Sequence, residues 1–261
     1  MPEPLTTFLR HSLLLKAAMA ECLDEPKPSP VHQLRSSTRR IEATLELLIN
    51  TADLPSVPKK AKALRQSLGK IRRASGKVRD IDAHRDLLAT YKTIADAAHM
   101  EKAFNAARKT KAQKLQRRIL EDQQDVLHAL EKLEKTLAPV VDLNLSGGDL
   151  AHAARSWLTT ALRGLHLDLA DNDDLHYIRK ACKTARYIAE IGSQSSKAAS
   201  KLAARLEDIQ QTTGAWHDSL LLLDEAHTIL KNNSPLIEKI QRKAQRLRIH
   251  AVSKAKRLLV A

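Results

Sequence analysis

The chain has 261 residues, enough for one large domain or two small ones, and carries a formal charge of +14. Seven Gly and nine Pro, set among abundant Ala, Leu, Lys, Arg and Glu, favour helix, and no long stretch alternates apolar and polar residues as a sheet strand would. Cys22 and Cys182 are too few for a disulfide framework and lack zinc-ligand spacing, so each reads as a small buried apolar residue. No signal peptide opens the sequence and no apolar run reaches the roughly 20 residues of a membrane span, so a reduced cytoplasmic location is expected.

Helix signals follow one another along the chain. Thr6 or Thr7 caps a first helix to about Leu23. Ser29-Pro30 pairs a cap with Pro at the first helical position and opens a second, to about Asn50. Its apolar face carries Leu34, Thr38, Ile41, Leu45 and Leu48. A Pro-containing turn, Leu54 to Pro58, opens a long third helix in which Gly76 marks a place to bend or break. A fourth runs from about Ala97 to Leu137, with Leu115, Ile119, Val126, Leu130, Leu133 and Leu137 as its core stripe and Pro139 beyond its end.

Ser146-Gly147-Gly148-Asp149 is the clearest linker. After it, Asp149 caps a helix to about His166, and Asp173 caps another to Glu190 or Ile191. Ser195 to Gly214 and Ala215 to about Lys231 read as two further segments, and Ser234-Pro235 opens a last helix to Leu259. The pattern repeats itself. At an offset of 144, His32 falls on His176, Arg35 on Arg179, Arg39 on Lys183 and Glu46 on Glu190. At an offset of 138, Leu68, Ile71, Gly76 and Asp80 fall on Leu206, Ile209, Gly214 and Asp218. The expectation is an all-α protein of two pseudo-symmetric four-helix repeats, 1–144 and 145–261, within a single domain.

Charge is clustered. From Lys59 to Arg79 there are nine basic residues and no acid; from Arg242 to Arg257 there are seven, again with no acid. Solvated helices mix signs, so such runs call for a counter-charge from outside. Helical spacing sorts the bases into stripes. His32, Arg35 and Arg39 form one, with Arg40 beside it; His176, Arg179, Lys183 and Arg186 form its counterpart. Arg65, Arg72 and Arg79 stand at heptad spacing, and Arg108, Lys111, Lys114 and Arg118 line one side of the fourth helix. Lys239, Lys243, Arg246, His250, Lys254 and Arg257 give the last helix a continuous basic face. Arg donates bidentately to phosphate oxygens and Lys adds point charge, so these rows suit an extended phosphate chain. The two histidines can donate when protonated, which a nearby phosphate favours, or can tie neighbouring helices together.

The segments VHQLRSSTRRIEATLEL, KVRDIDAHRDLL, LHYIRKACKTARYIAEI and GAWHD resemble the conserved-histidine α-helical domain, the CHAD family, across nearly the whole chain. That resemblance implies two pseudo-symmetric four-helix bundles lining a basic cleft or pore that binds inorganic polyphosphate. His32, Arg35 and Arg39 match its first signature; His176, Arg179 and Lys183 match the second. Two departures stand out: Glu42 where a third base is common, and Thr184 opposite Arg40. Many relatives also carry a triphosphate-cleaving tunnel domain, and this sequence has no ExExK run of that kind.

Catalysis has little support. Asp80, Asp82, His84 and Asp86 are the densest acid and His cluster, but Arg79 and Arg85 flank them, and ion pairing is the reading adopted. No phosphate loop, nucleophile elbow or triad accompanies them, so no catalytic residue, metal or cofactor is expected. Nucleic acid is the main rival ligand and the expected non-specific competitor. Aromatic residues make up only 3% of the chain, which argues against a base-stacking platform. A scaffold on storage granules is the remaining alternative, with association to polyphosphate granules its specific form.

Overall fold

The computed structural model describes residues 4–51, 56–138 and 145–259. Eight α-helices fill the described residues, with no strand among them: α1 (Pro4–Asp24), α2 (Pro28–Thr51), α3 (Val57–Leu88), α4 (Ala95–Leu137), α5 (Gly147–Leu162), α6 (Asn172–Ile191), α7 (Lys197–Ile229) and α8 (Pro235–Leu259). A 3-10 turn, Ala89–Tyr91, leads from α3 towards α4. The all-α expectation holds. Leu54 and Pro55 of the proposed turn, Pro139 and the end of the first repeat at residue 144 lie outside the described residues.

Several boundaries differ from expectation, each for a local reason. The backbone N–H of Val31 donates to the Lys27 carbonyl, so α2 begins at Pro28, one short step before Ser29-Pro30. Ser146, not Asp149, caps α5: its hydroxyl accepts from the Asp149 N–H at 3.2 Å, and the Asp149 carboxylate accepts from the Ser146 N–H at 2.9 Å. That reciprocal pair is a capping box. The same helix stops at Leu162, short of His166, where Gly164 takes a left-handed φ of 73°. Asp171 rather than Asp173 caps α6, accepting from the Asp173 N–H at 2.7 Å. Gly76 and Gly214 break nothing: α3 runs unbroken for 32 residues and α7 for 33. The segments expected on either side of Gly214 are one helix. Ser234 does cap α8, accepting from the Leu236 N–H at 3.2 Å.

The helices form two compact units, each drawn from separate stretches of sequence. The first comprises Met1–Arg79, Thr110–Trp157 and Thr184–Ala203; the second comprises Asp80–Lys109, Leu158–Lys183 and Ala204–Ala261. These are spatial groupings, whereas the repeats proposed above are stretches of sequence.

In the first unit, α1, α2, α3 and α4 close on a core containing Phe8, Leu15, Leu34, Ile41, Leu45, Leu64, Leu68 and Ile71. The six leucine, isoleucine and valine residues of the α4 stripe are all at 0% exposure, which matches their helical spacing. A second cluster in this unit joins Leu47, Leu150, Ala154 and Ile188. There the α5 start and the turn after α6 approach so closely that a Cβ on Gly147 would lie 3.0 Å from the Gly192 carbonyl. In the second unit, Ile81, Met100 and Phe104 pack with Leu222, Leu236, Ile237 and Ile240. Burying a side chain of this size contributes about 1.5–3 kcal/mol. Cys22 and Cys182 are both buried free thiols, and burial pushes each up to about 12.

Candidate anion-binding sites

In the first unit, the basic rows of α3 divide into a neutralised face and an open one. Arg65 pairs with Glu46 at 2.5 Å, and Arg72 pairs with Glu42, both acids coming from α2. Glu42 also lies 3.8 Å from Arg39. The heptad row is therefore largely answered from within the chain at Arg65 and Arg72. Arg35 Nη1 donates to the Arg72 carbonyl at 3.3 Å, and the guanidinium lies against Gly76. His32 is exposed on the same helix.

The other face of α3 meets α4 across a groove of about 650 Å³. Lys70, Arg73 and Lys77 line one wall; Lys111, Lys114, Arg117 and Arg118 line the other, with Glu121 at one end. Buried Asp122 takes Lys70 at 3.2 Å and Arg118 at 3.5 Å, and Arg118 also meets Glu121 at 2.8 Å. Arg73, Lys77, Lys111, Lys114 and Arg117 have no carboxylate partner among the described residues. Like charges held this close raise the local potential and attract an anion. Lys111, Lys114 and Arg118 were expected from their stripe. Lys70, Arg73, Lys77 and Arg117 were not singled out, although 70, 73 and 77 follow the same i, i+3, i+7 spacing within the Lys59–Arg79 run.

Two other expected residues in this unit are committed elsewhere. Arg40 and Arg186 sit over the Tyr187 ring at 4.7 and 4.8 Å from its centroid. Both also reach Glu190, Arg40 at 2.7 Å and Arg186 at 3.3 Å. Arg186 is only 8% exposed.

In the second unit, Arg179 packs over Gly214, and a Cβ there would meet its Nε at 3.4 Å. The His176 and His217 rings lie against each other, tilted by 36°, with centroids 4.4 Å apart. His176 Nδ1 and Arg179 Nε are buried with no hydrogen-bond partner among the described residues. Burial, then the neighbouring His217 ring, Lys180 and Arg179, pull His176 down to about 4, against an opposing pull from Asp173. Burial, then Arg179, His84 and Lys180, bring His217 to about 4 as well. Both rings are therefore neutral near pH 7, and a phosphate placed here would favour their protonation. His217 lies in the GAWHD segment and was not among the expected ligand contacts. Lys183 belongs to this unit and Arg79 to the first; each already has an interaction within the fold.

A second groove, of about 660 Å³, runs along α8 in the same unit. Lys239, Arg242, Lys243, Arg246 and His250 line it with Leu247 and Tyr91. Lys243 rides over the Tyr91 ring at 5.4 Å, Arg242 pairs with Glu238, and further along α8 Lys254 pairs with Asp208. Lys239, Lys243, Arg246 and His250 of the expected α8 face thus fall in one groove, which Lys254 and Arg257 do not line.

Within the acid cluster of α3, one carboxylate pairs differently than expected. Asp82 is buried and accepts from Arg108 Nε at 2.5 Å, an α4 partner rather than the flanking Arg79 or Arg85. Arg108 is thereby taken out of the open basic row. His84 is buried beside Phe104, and burial holds it below its usual value despite Glu225, Asp218 and Asp80 nearby. No group of three or more His, Cys, Asp or Glu suited to a metal occurs among the described residues. Nor is any helix there long and apolar enough to cross a membrane.

Taken together, these features define a helical protein that holds long rows of base against helix-helix grooves. Residues 10–227 match the CHAD domain family, and the chain belongs to that family. Its fold is similar to PptA from Streptomyces chartreusis, at 18% identity and a TM-score of 0.66, covering 98% of this chain and 97% of that one. It is also similar to the crystal structure of the CHAD domain from the plant Ricinus communis, at 18% identity and a TM-score of 0.65, covering 97% and 90%. No curated protein matches the sequence.

Proposed function

We propose that this protein binds inorganic polyphosphate without cleaving it. The observation that carries the reading is the α3–α4 groove, where five bases stand without a carboxylate partner among the described residues. A flexible anion with one charge or more per unit, and no bases to stack, matches a groove lined by cations and no aromatic ring. The α8 groove and the His176–Arg179 pair extend the same chemistry in the second unit. In this proposal Arg40 and Arg186 serve the fold through Glu190, and Arg65 and Arg72 contribute less than their spacing promises. A continuous channel between the two repeats, and localisation to polyphosphate granules in the cytoplasm, are finer parts of the same proposal.

Family membership supports the reading through the resemblance of both signatures. Sequence-independent binding of nucleic acid remains the second reading, favoured by the same unpaired bases, since its backbone is also a polyphosphate. Charge reversal tests the groove. Arg73→Glu with Lys114→Glu should remove most polyphosphate affinity while leaving the helical circular dichroism unchanged. Undiminished affinity in that variant places the ligand elsewhere.

A further inference from the structure

Two arginines of the first unit already grip an oxyanion, and it is the chain's own. Glu42 pairs with Arg72 across α2 and α3 and lies 3.8 Å from Arg39. Its side chain is 15% exposed, while those of Arg39 and Arg72 are 39% and 29% exposed, so solvent and ligand reach both guanidiniums. A carboxylate and a phosphate oxygen ask for the same forked N–H donors. At the offset that aligns the two signatures, position 42 falls on Arg186, so the repeats carry opposite charge at this place.

Building on the polyphosphate reading, we infer that Glu42 is an internal competitor for the ligand, its carboxylate occupying a two-arginine seat that a phosphate unit otherwise takes. Glu42 sets the affinity of the first signature by holding Arg39 and Arg72 in the unliganded state. A partly exposed ion pair is weak, so a multivalent phosphate chain displaces it in part, and removing the carboxylate lets the seat contribute fully. Glu46 acts on Arg65 in the same manner one turn along α2, which makes the neutralised face of α3 a damped version of its open one.

The test compares Glu42→Gln with Glu131→Gln in the full chain. Glu131 pairs with Lys135 on the exposed side of α4, so its replacement changes net charge equally without touching the seat. Long-chain polyphosphate is titrated into each at two salt concentrations. Glu42→Gln should tighten binding by about five- to tenfold over Glu131→Gln, with a steeper salt dependence from the added phosphate contacts. Adding Arg39→Gln to Glu42→Gln should cancel most of that gain. Equal affinities for the two single variants overturn the inference. Glu42→Ala is the substitute should the Gln variant not fold, with the same expected gain. A native protein that fails to bind polyphosphate at all removes the underlying reading; native binding with no gain in the Glu42 variants removes this inference alone.

Discussion

Arg35 lies over Gly76 so closely that a Cβ at that glycine would stand 2.6 Å from its Nη1. In the second unit Arg179 covers Gly214 in the same fashion, at 3.4 Å from Nε. The two arginines are related by the offset of 144 and the two glycines by 138, so aligned residues make like contacts in both units. In each case the contact joins two separately aligned segments, as the proposed duplication would require.

The difference between 2.6 and 3.4 Å gives a paired prediction. Ala in place of Gly in a helix interior gains about 1 kcal/mol. Gly214→Ala meets only ordinary contact and should raise the melting temperature. Gly76→Ala must push the Arg35 guanidinium aside and lose its bond to the Arg72 carbonyl, worth about 1 kcal/mol, so it should leave stability unchanged or lower it. Thermal melts of the two variants check this, and equal gains would contradict it.

Acid should destabilise the fold through three histidines. His11, His176 and His217 are each held at about 4, against about 6.5 in an unfolded chain. Burial is the leading cause for all three, and Arg40 and Arg10 add to it at His11. Between those two values the unfolded chain binds more protons, so stability is full above about pH 6.5 and falls as pH drops towards 4. Urea unfolding at pH 7.5, 6 and 5 should show this loss, and His217→Gln should flatten part of it. Polyphosphate bound beside His176 should raise both ring pKa values, so binding should take up protons near pH 6, read by calorimetry in buffers of different ionisation enthalpy.

Glu190 is the acid that holds two guanidiniums against Tyr187. Glu190→Gln removes the counter-charge from buried Arg186 and half-buried Arg40 and should cost about 2 kcal/mol. Chemical denaturation measures it. A loss below about 0.5 kcal/mol would place this cluster among ordinary surface pairs.

Helix content, most helix spans and the apolar faces were readable from the sequence because they are local: Leu115 to Leu137 announce a buried face through spacing alone. Gly76 and Gly214 misled for the opposite reason. Read locally, each is a helix breaker; in the fold each sits mid-helix where an arginine from another helix needs the room. Neutralisation of Arg65 and Arg72 also lay beyond local reading. Glu42 and Glu46 share an i, i+4 face of α2, but only the packing of α2 on α3 decides which arginines they meet. The open groove was half visible: Lys111, Lys114 and Arg118 stood out on α4, whereas Lys70, Arg73 and Lys77 were hidden inside a longer basic run.

Ligand binding should also stabilise the protein. Polyphosphate seated in the proposed groove would relieve repulsion among Arg73, Lys77, Lys111, Lys114 and Arg117 and should bind the folded form more tightly than the unfolded chain, so saturating ligand should raise the melting temperature. The Arg73→Glu, Lys114→Glu variant should show a much smaller rise.

The central claim is that the basic grooves prefer inorganic polyphosphate to a nucleic-acid backbone. Calorimetric titration with long-chain polyphosphate, duplex DNA and RNA, at matched phosphate concentration and near-physiological salt, addresses it directly. The account predicts clearly tighter binding of polyphosphate, because the α3–α4 groove holds dense cationic charge and no aromatic ring on which a base could stack. Equal or tighter binding of nucleic acid would contradict it and leave the basic rows as a general phosphate-backbone surface.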